Sequence, residues 1–263
     1  MLYPSVIQIE TSAVCNAHCS FCSYVKGTNV MSEKLFLKII EEIASWNIPV
    51  RILPFLTNEP FADPRMLSFV RLIANKIPNV KIQFYTNASL LMPSLSAALG
   101  SIHAVDHITC SLHYLDENVY RTQLGLNLQK TIANIKAALN LSFKVELLRV
   151  SDGDSVADSR FVQACNELFP TLLCIVSGRW NWKGDLVSYL MPELDAFCGR
   201  LNHMTILHTG IVSLCCMDQL GQYALGDVNV QSLLEIYNSE KHLSYMSNIR
   251  RYNNPCKKCN MRG

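Results

Sequence analysis

Along the first two thirds of the chain, short runs of alternating or continuous apolar residues are separated by longer stretches with apolar positions three and four apart. Residues 5–10 alternate as a strand does, and 50–56 form a continuous apolar run rich in β-branched residues. Residues 80–85, 106–113, 143–150 and 172–176 repeat the strand pattern. Between them, 32–46 carries Leu35, Ile39, Ile40 and Ile43 at helical spacing behind Ser32, an N-cap residue followed by Glu33. Residues 64–77, with a proline near the first turn, and 91–99, 128–139 and 159–168 also read as helices. Six strand-then-helix units imply a parallel sheet with helices outside, either a partly closed barrel or an open doubly wound sheet. In both, chemistry belongs at the C-terminal ends of the strands.

The pattern changes near residue 177. Residues 1–176 are expected to form the core, 177–194 a linker and loop, and 195–263 a cysteine-rich α+β appendix. The appendix has hairpin signals around 205–215 with Gly221 and Gly226, then a helix over 232–245. At 263 residues and 49% hydrophobic content the chain can bury one large core. A net charge of +2 without long charge runs gives no reason to expect a nucleic acid or a membrane as partner. No apolar stretch reaches a membrane-spanning length, and the N-terminus lacks a signal-peptide pattern, so a cytoplasmic, reducing location is expected.

That setting makes eleven cysteines informative, because reducing compartments disfavour structural disulfides. Cys110, Cys165 and Cys174 stand alone and read as core residues. Cys15, Cys19 and Cys22 lie within eight residues, directly after the first strand. Spacings of four and three let one loop present three thiolates to one inorganic body. Three ligands leave one position open, as catalytic metal sites do; a structural zinc site would need a fourth ligand, for which His18 is near.

Cys15-Asn-Ala-His-Cys19-Ser-Phe-Cys22 resembles the signature loop of the radical S-adenosylmethionine (SAM) superfamily. The resemblance covers nearly all of residues 4–176. It implies a partial (β/α)6 TIM-type barrel and a [4Fe–4S] cluster on Cys15, Cys19 and Cys22 whose open iron binds SAM. Reductive cleavage of SAM would then give a 5′-deoxyadenosyl radical that takes a hydrogen atom from the substrate. Phe21 and Tyr24 flank the last ligand and are expected at the cofactor. Thr57-Asn58-Glu59-Pro60 resembles the family's Gly-Gly-Glu-Pro segment, with Thr57 and Asn58 in place of the glycines, and implies that Glu59 receives the SAM ammonium. Tyr85-Thr86-Asn87-Ala88 resembles a Thr-Asn-Gly strand end, with Asn87 either at SAM or serving its own turn. Ser111 stands where relatives hold the SAM carboxylate. His113 lies on the same side of that strand, and Arg149 is a second carboxylate partner.

Four thiolates near the C-terminus, Cys198, Cys215, Cys256 and Cys259, suit an iron–sulfur cluster or tetrahedral zinc alike. The family resemblance implies the former: an appended SPASM domain in its shortened Twitch form, with those four residues as ligands of one auxiliary [4Fe–4S] cluster. Two clusters and SAM are therefore the expected cofactors. With four residues after Cys259, no second auxiliary cluster is expected, and Cys216 is either a free thiol or a substitute for Cys215. Size and layout are similar to the family's aminocyclitol dehydrogenases, which implies oxidation of a small sugar- or cyclitol-like alcohol, with the auxiliary cluster accepting an electron. Arg179, Asn181 and Lys183 are candidate substrate contacts, Arg179 and Lys183 as catalytic groups, between Trp180 and Trp182. The implied electron donor is reduced flavodoxin or ferredoxin. Peptide modification is the alternative; it is disfavoured by the short stretch before the first strand, which leaves no room for a leader-recognition domain. A non-catalytic Fe–S or zinc module is the second alternative.

Overall fold

The computed structural model describes residues 1–181, 198–247 and 255–260. Among the described residues, five β/α units and a sixth strand follow one another. The strands are β1 (Val6–Ile9), β2 (Arg51–Leu53), β3 (Lys81–Thr86), β4 (Val105–Ser111), β5 (Lys144–Val150) and β6 (Leu173–Ser177). The helices between them are α1 (Glu33–Ser45), α2 (Met66–Lys76), α3 (Pro93–Gly100), α4 (Glu117–Leu124), α5 (Leu128–Ala138) and α6 (Ser155–Leu168). The strands lie side by side in sequence order and run parallel. A doubly wound sheet reverses its order at a switch point. This sheet does not reverse among β1–β6, so the architecture is that of a partial barrel. Side chains of β1 are buried on both faces, as expected where a parallel strand lies between a barrel interior and covering helices.

Local signals account for most boundaries. Ser32 caps α1 by accepting a hydrogen bond from the Leu35 amide, and the helix buries Leu35, Phe36, Ile39, Ile40 and Ile43. β2 stops at Leu53, short of the apolar run 50–56, because Pro54 has no N–H to continue the ladder. From there the chain turns toward the strand ends. α4 was not visible in the apolar pattern because it buries only Tyr120 and Leu124; its markers are the Asp116 cap and Gly125, left-handed at φ 72°. α6 begins at Ser155, four residues before the apolar pattern predicts, because Asp154 caps it.

The cysteine-rich appendix extends the same sheet. β7 (His203–Ile206) pairs parallel with β1, and β8 (Ile211–Ser213) and β9 (Gly226–Asp227) continue it antiparallel. The sheet order is β6-β5-β4-β3-β2-β1-β7-β8-β9. The helix predicted over 232–245 is two helices, α7 (Leu233–Tyr237) and α8 (Glu240–Ser247), separated at Asn238. A small second core forms around Cys198, Leu201 and Leu214, with Tyr223, Tyr245 and Cys256 packed on it. Among the described residues, no helix is long and apolar enough to cross a membrane.

Candidate functional site

The loop after β1 is closed at its base before it reaches its cysteines. Ser12 and Val30 form an antiparallel bridge, and the Ala13 and Met31 amides donate to Asn29 and Thr11 carbonyls at 2.8 Å each. The Arg65 guanidinium, held by Asp63 at 2.8 Å, donates to the Met31 and Thr11 carbonyls and locks that base. The far side of the loop rests on the end of α4: the His18 amide donates to the Leu124 carbonyl at 2.7 Å, and Ser20 Oγ to Gln123 Oε1 at 2.7 Å. Gly125 lies so close that a Cβ there would stand 3.0 Å from His18 Nδ1.

Cys15, Cys19 and Cys22 thereby share one wall of a cleft at the C-terminal ends of the strands, with about 930 Å³ of open space including its mouth. Burial pushes all three thiols up, Cys19 to about 12. The local backbone works the other way: the Ala17 amide donates to Cys15 Sγ, and the Tyr24 amide to Cys22 Sγ. These hydrogen bonds favour thiolates, the form that ligates a metal. Among the described residues, no three His, Cys, Asp or Glu side chains close on a single ion. Three thiols lining one cavity are a donor set of the kind that holds iron–sulfur clusters.

Another part of the cleft wall comes from the ends of β2, β3 and β4 and the loops after them. Thr57, Asn58 and Glu59 line it, followed by Asn87 and Ser111. Glu59 is buried and accepts three hydrogen bonds, from Thr86 Oγ1 at 2.7 Å, the Asn87 amide at 2.8 Å and the Phe61 amide at 3.2 Å. Burial nevertheless raises its pKa to about 7, the hydrogen bonds offsetting only part of the cost of a buried charge. Thr57 Oγ1 and Asn58 Nδ2 are buried without a protein partner among the described residues. Polar atoms left so are costly unless a ligand satisfies them, so this wall fits a polar molecule seated in the cleft.

Asn87 serves its own turn and the cysteine loop together: Oδ1 accepts from the Ser89 amide at 2.9 Å, while Nδ2 donates to Asn16 Oδ1 at 2.9 Å. Ala88 sits at φ 58°, the left-handed conformation for which glycine is the natural residue at this strand end. His113 lines the cleft with its ring edge-on to Phe21 at 4.8 Å. Its Nδ1 accepts from the Val150 amide at 3.1 Å, and burial, with Arg149 nearby, lowers its pKa to about 3. His113 is therefore a neutral imidazole carrying its proton on Nε2.

Three expectations do not hold as placed. Arg149 does not line the cleft; its Nε pairs with Asp158 at 2.7 Å, its other arm donates to the His113 carbonyl, and Phe161 stacks under it at 4.9 Å. It braces the strand ends because a buried guanidinium needs such partners. Tyr24 also faces away, donating to the buried Glu10 at 2.8 Å; Glu10 in turn accepts from His208 Nδ1 at 2.7 Å. Asn181 is spent on the C-terminal segment: its amide donates to Asn260 Oδ1 at 2.8 Å and its Nδ2 to the Lys258 carbonyl at 2.6 Å. Arg179 and Trp180 do line the cleft mouth, whereas Trp182 and Lys183 lie outside the described residues. The apolar wall of Phe55, Tyr85, Leu124, Leu126, Leu148 and Val150 was not anticipated; Leu124 belongs to the helix the apolar pattern hid.

At the other site the thiols of Cys215, Cys216, Cys256, Cys259 and Cys198 are near enough for their charges to act on one another. Burial pushes Cys215 well up and Cys216 to about 11. Cys215 Sγ accepts from the Met217 amide, the same two-residue pattern found at Cys15 and Cys22.

Two family profiles match the chain: the radical SAM superfamily over residues 9–153, and the iron–sulfur cluster-binding SPASM domain over residues 198–260. No curated protein matches in sequence. Among solved structures, BtrN in complex with AdoMet and 2-DOIA is 18% identical, with a TM-score of 0.70 covering 99% of this chain and 95% of that one. SuiB from Streptococcus suis bound to precursor peptide SuiA is 15% identical, with a TM-score of 0.73 over 99% and 70% of the two chains. anSMEcpe with bound AdoMet is 13% identical, with a TM-score of 0.73 over 97% and 85%.

Proposed function

Given that the chain belongs to the radical SAM superfamily and carries an iron–sulfur cluster-binding domain, we propose that this enzyme oxidises a secondary alcohol of a small, sugar- or cyclitol-like molecule. A [4Fe–4S] cluster on Cys15, Cys19 and Cys22 would supply, when bound, the electron that cleaves SAM, and SAM the 5′-deoxyadenosyl radical that takes the carbinol hydrogen. The observation that carries the reading is the shared cleft: the three thiols line one cavity together with Glu59, Asn87, Ser111 and His113.

In this reading Glu59 holds the SAM ammonium, for which an ionised carboxylate is the natural acceptor. Thr57 and Asn58 take up the remaining polar groups of SAM, and Ser111 its carboxylate. His113 donates from Nε2 to the substrate and, with Nδ1 occupied and basicity lowered to about 3, does not act as the base. Arg179 and Trp180 guard the mouth, with Lys183 as a further substrate contact. Phe21 packs His113 in place. Cys198, Cys215, Cys256 and Cys259 hold the auxiliary cluster. The oxidation would balance as one hydrogen atom lost from carbon to the radical, one proton lost from oxygen to a base, and one electron for which the auxiliary cluster, when bound, would be the acceptor. Reduced flavodoxin or ferredoxin returns the first cluster to its active state.

The small-molecule assignment is supported by the extent of the match to the 2-DOIA complex, which spans 95% of that chain. The test is anaerobic incubation of iron-loaded enzyme with SAM, dithionite and cyclitols or sugars deuterated at each carbinol carbon. Deuterium in 5′-deoxyadenosine with a matching ketone product is the expected result. Deuterium arriving only from a peptide Cα position would overturn it in favour of peptide modification.

A further inference from the structure

Lys26 lies four residues beyond Cys22, outside the signature spacing, and its side chain folds back over the loop. Its Nζ donates to the carbonyl of Ala17, the residue midway between Cys15 and Cys19. Ala17 itself is buried and lines the cleft. The backbone enforces this return: the Gly27 amide donates to the Ala13 carbonyl at 2.9 Å, so the chain reverses immediately after Lys26. One ammonium is thus brought against a loop that carries three thiol ligands. Its charge acts on each of them, favouring the thiolate at Cys15, Cys19 and Cys22 alike. The buried Glu59 carboxylate acts on Cys15 in the opposite sense, as Cys22 does on Cys15 and Cys19. Arg179 also reaches the loop, at the Ser20 carbonyl 3.5 Å away, but Lys26 is the cation whose charge acts on all three ligand thiols, and it opposes an accumulation of negative charge there.

We propose that Lys26 is a positioning and charge-balancing residue for the cluster on Cys15, Cys19 and Cys22, fixing the loop through Ala17 and making one-electron reduction of that cluster easier. The inference rests on the proposed ligand assignment. Its physical basis is that reduction adds one negative charge to a body already holding three thiolates. A nearby cation stabilises the reduced form more than the oxidised one, and net charge is among the determinants of cluster potential. The reducing electron comes from flavodoxin, ferredoxin or, in vitro, dithionite; no other reactant is required. Lys26 is exposed, so solvent screens it and its effect should shrink as salt rises.

The experiment is an EPR-monitored potentiometric titration of iron-loaded wild type, Lys26→Met, Lys26→Gln and Lys26→Arg, without SAM, at low and high salt. Loss of charge in Lys26→Met and Lys26→Gln should make the first cluster about three- to tenfold harder to reduce at a fixed ambient potential, a midpoint up to about 59 mV more negative. Lys26→Arg should stay near wild type, the auxiliary cluster should not move, and the difference should narrow at high salt. If the neutral variants fail to load the first cluster while Lys26→Arg loads it, the charge requirement holds at assembly. Unchanged midpoints in the neutral variants, or equal loss in Lys26→Arg and Lys26→Met, would overturn the proposal. A wild-type protein with no reducible cluster dependent on Cys15, Cys19 and Cys22 would instead overturn the functional reading beneath it.

Discussion

Glu59 allows the sharpest test of the cleft. Its carboxylate is buried, accepts three hydrogen bonds and has its pKa raised from 4.5 to about 7. That rise corresponds to roughly 3 kcal/mol disfavouring the charged form in the folded chain. Below about pH 4.5 the group is protonated whether the chain is folded or not, and the fold bears no penalty. As the pH climbs toward 7 the unfolded chain ionises first, so folded stability falls; above 7 the penalty is constant. A cationic ligand offsets it, and binding should therefore tighten as Glu59 ionises. At pH 6 about one tenth of the protein carries the charge, so SAM affinity should be about tenfold below its plateau at high pH. Anaerobic equilibrium dialysis of iron-loaded enzyme from pH 6 to 9 measures this, and Glu59→Gln is the control. The variant removes the charge and sets an amide N–H against the Thr86 hydroxyl or the Asn87 amide, a donor conflict costing about 1–3 kcal/mol. Any slope that survives in Glu59→Gln belongs to the SAM amine, an α-amino group near pH 8. Equal slopes in wild type and Glu59→Gln would refute the assignment of Glu59 as the ammonium's partner.

Three further outcomes are expected. Replacing Cys15, Cys19 and Cys22 together with alanine should lower iron from about eight to about four atoms per chain and abolish 5′-deoxyadenosine formation. Iron analysis with chromatography reads both, and undiminished SAM cleavage would sink the cluster assignment. Arg149→Met should destabilise the fold by about 2–3 kcal/mol in urea unfolding, because the buried guanidinium is lost and the partly buried Asp158 keeps only the Ser151 hydroxyl as partner. Arg149→Met combined with Asp158→Leu should recover most of that loss; a single variant costing under about 1 kcal/mol would mean the pair is solvated. Gly210→Ala should cost about 1–3 kcal/mol, since Gly210 sits at φ +94° and a Cβ would stand 2.4 Å from Asn229 Nδ2. An unchanged unfolding midpoint would show that the β7–β8 turn relaxes freely.

The parts of this protein that were legible in its sequence are those governed by near neighbours. Spacings of four and three among Cys15, Cys19 and Cys22 require one loop, and Ser32 followed by the 35-39-40-43 spacing requires a capped amphipathic helix. The alternation of strands and helices implied a parallel sheet, but both barrel-like and doubly wound orders satisfy it. Only the unreversed pairing from β1 through β6 decided the arrangement, and the pairing of β7 with β1 joined the appendix to the same sheet. The cleft was legible where a residue follows a strand end, as Glu59 and Asn87 do. It was not where long-range partners compete for a side chain: Arg149 is claimed by Asp158, Tyr24 by Glu10, and Asn181 by the Cys259 segment. Local periodicity constrains backbone geometry, because helices and strands repeat over a few residues. Which buried polar group satisfies which other depends on atoms scores of residues apart, and only the folded chain brings them within hydrogen-bond distance.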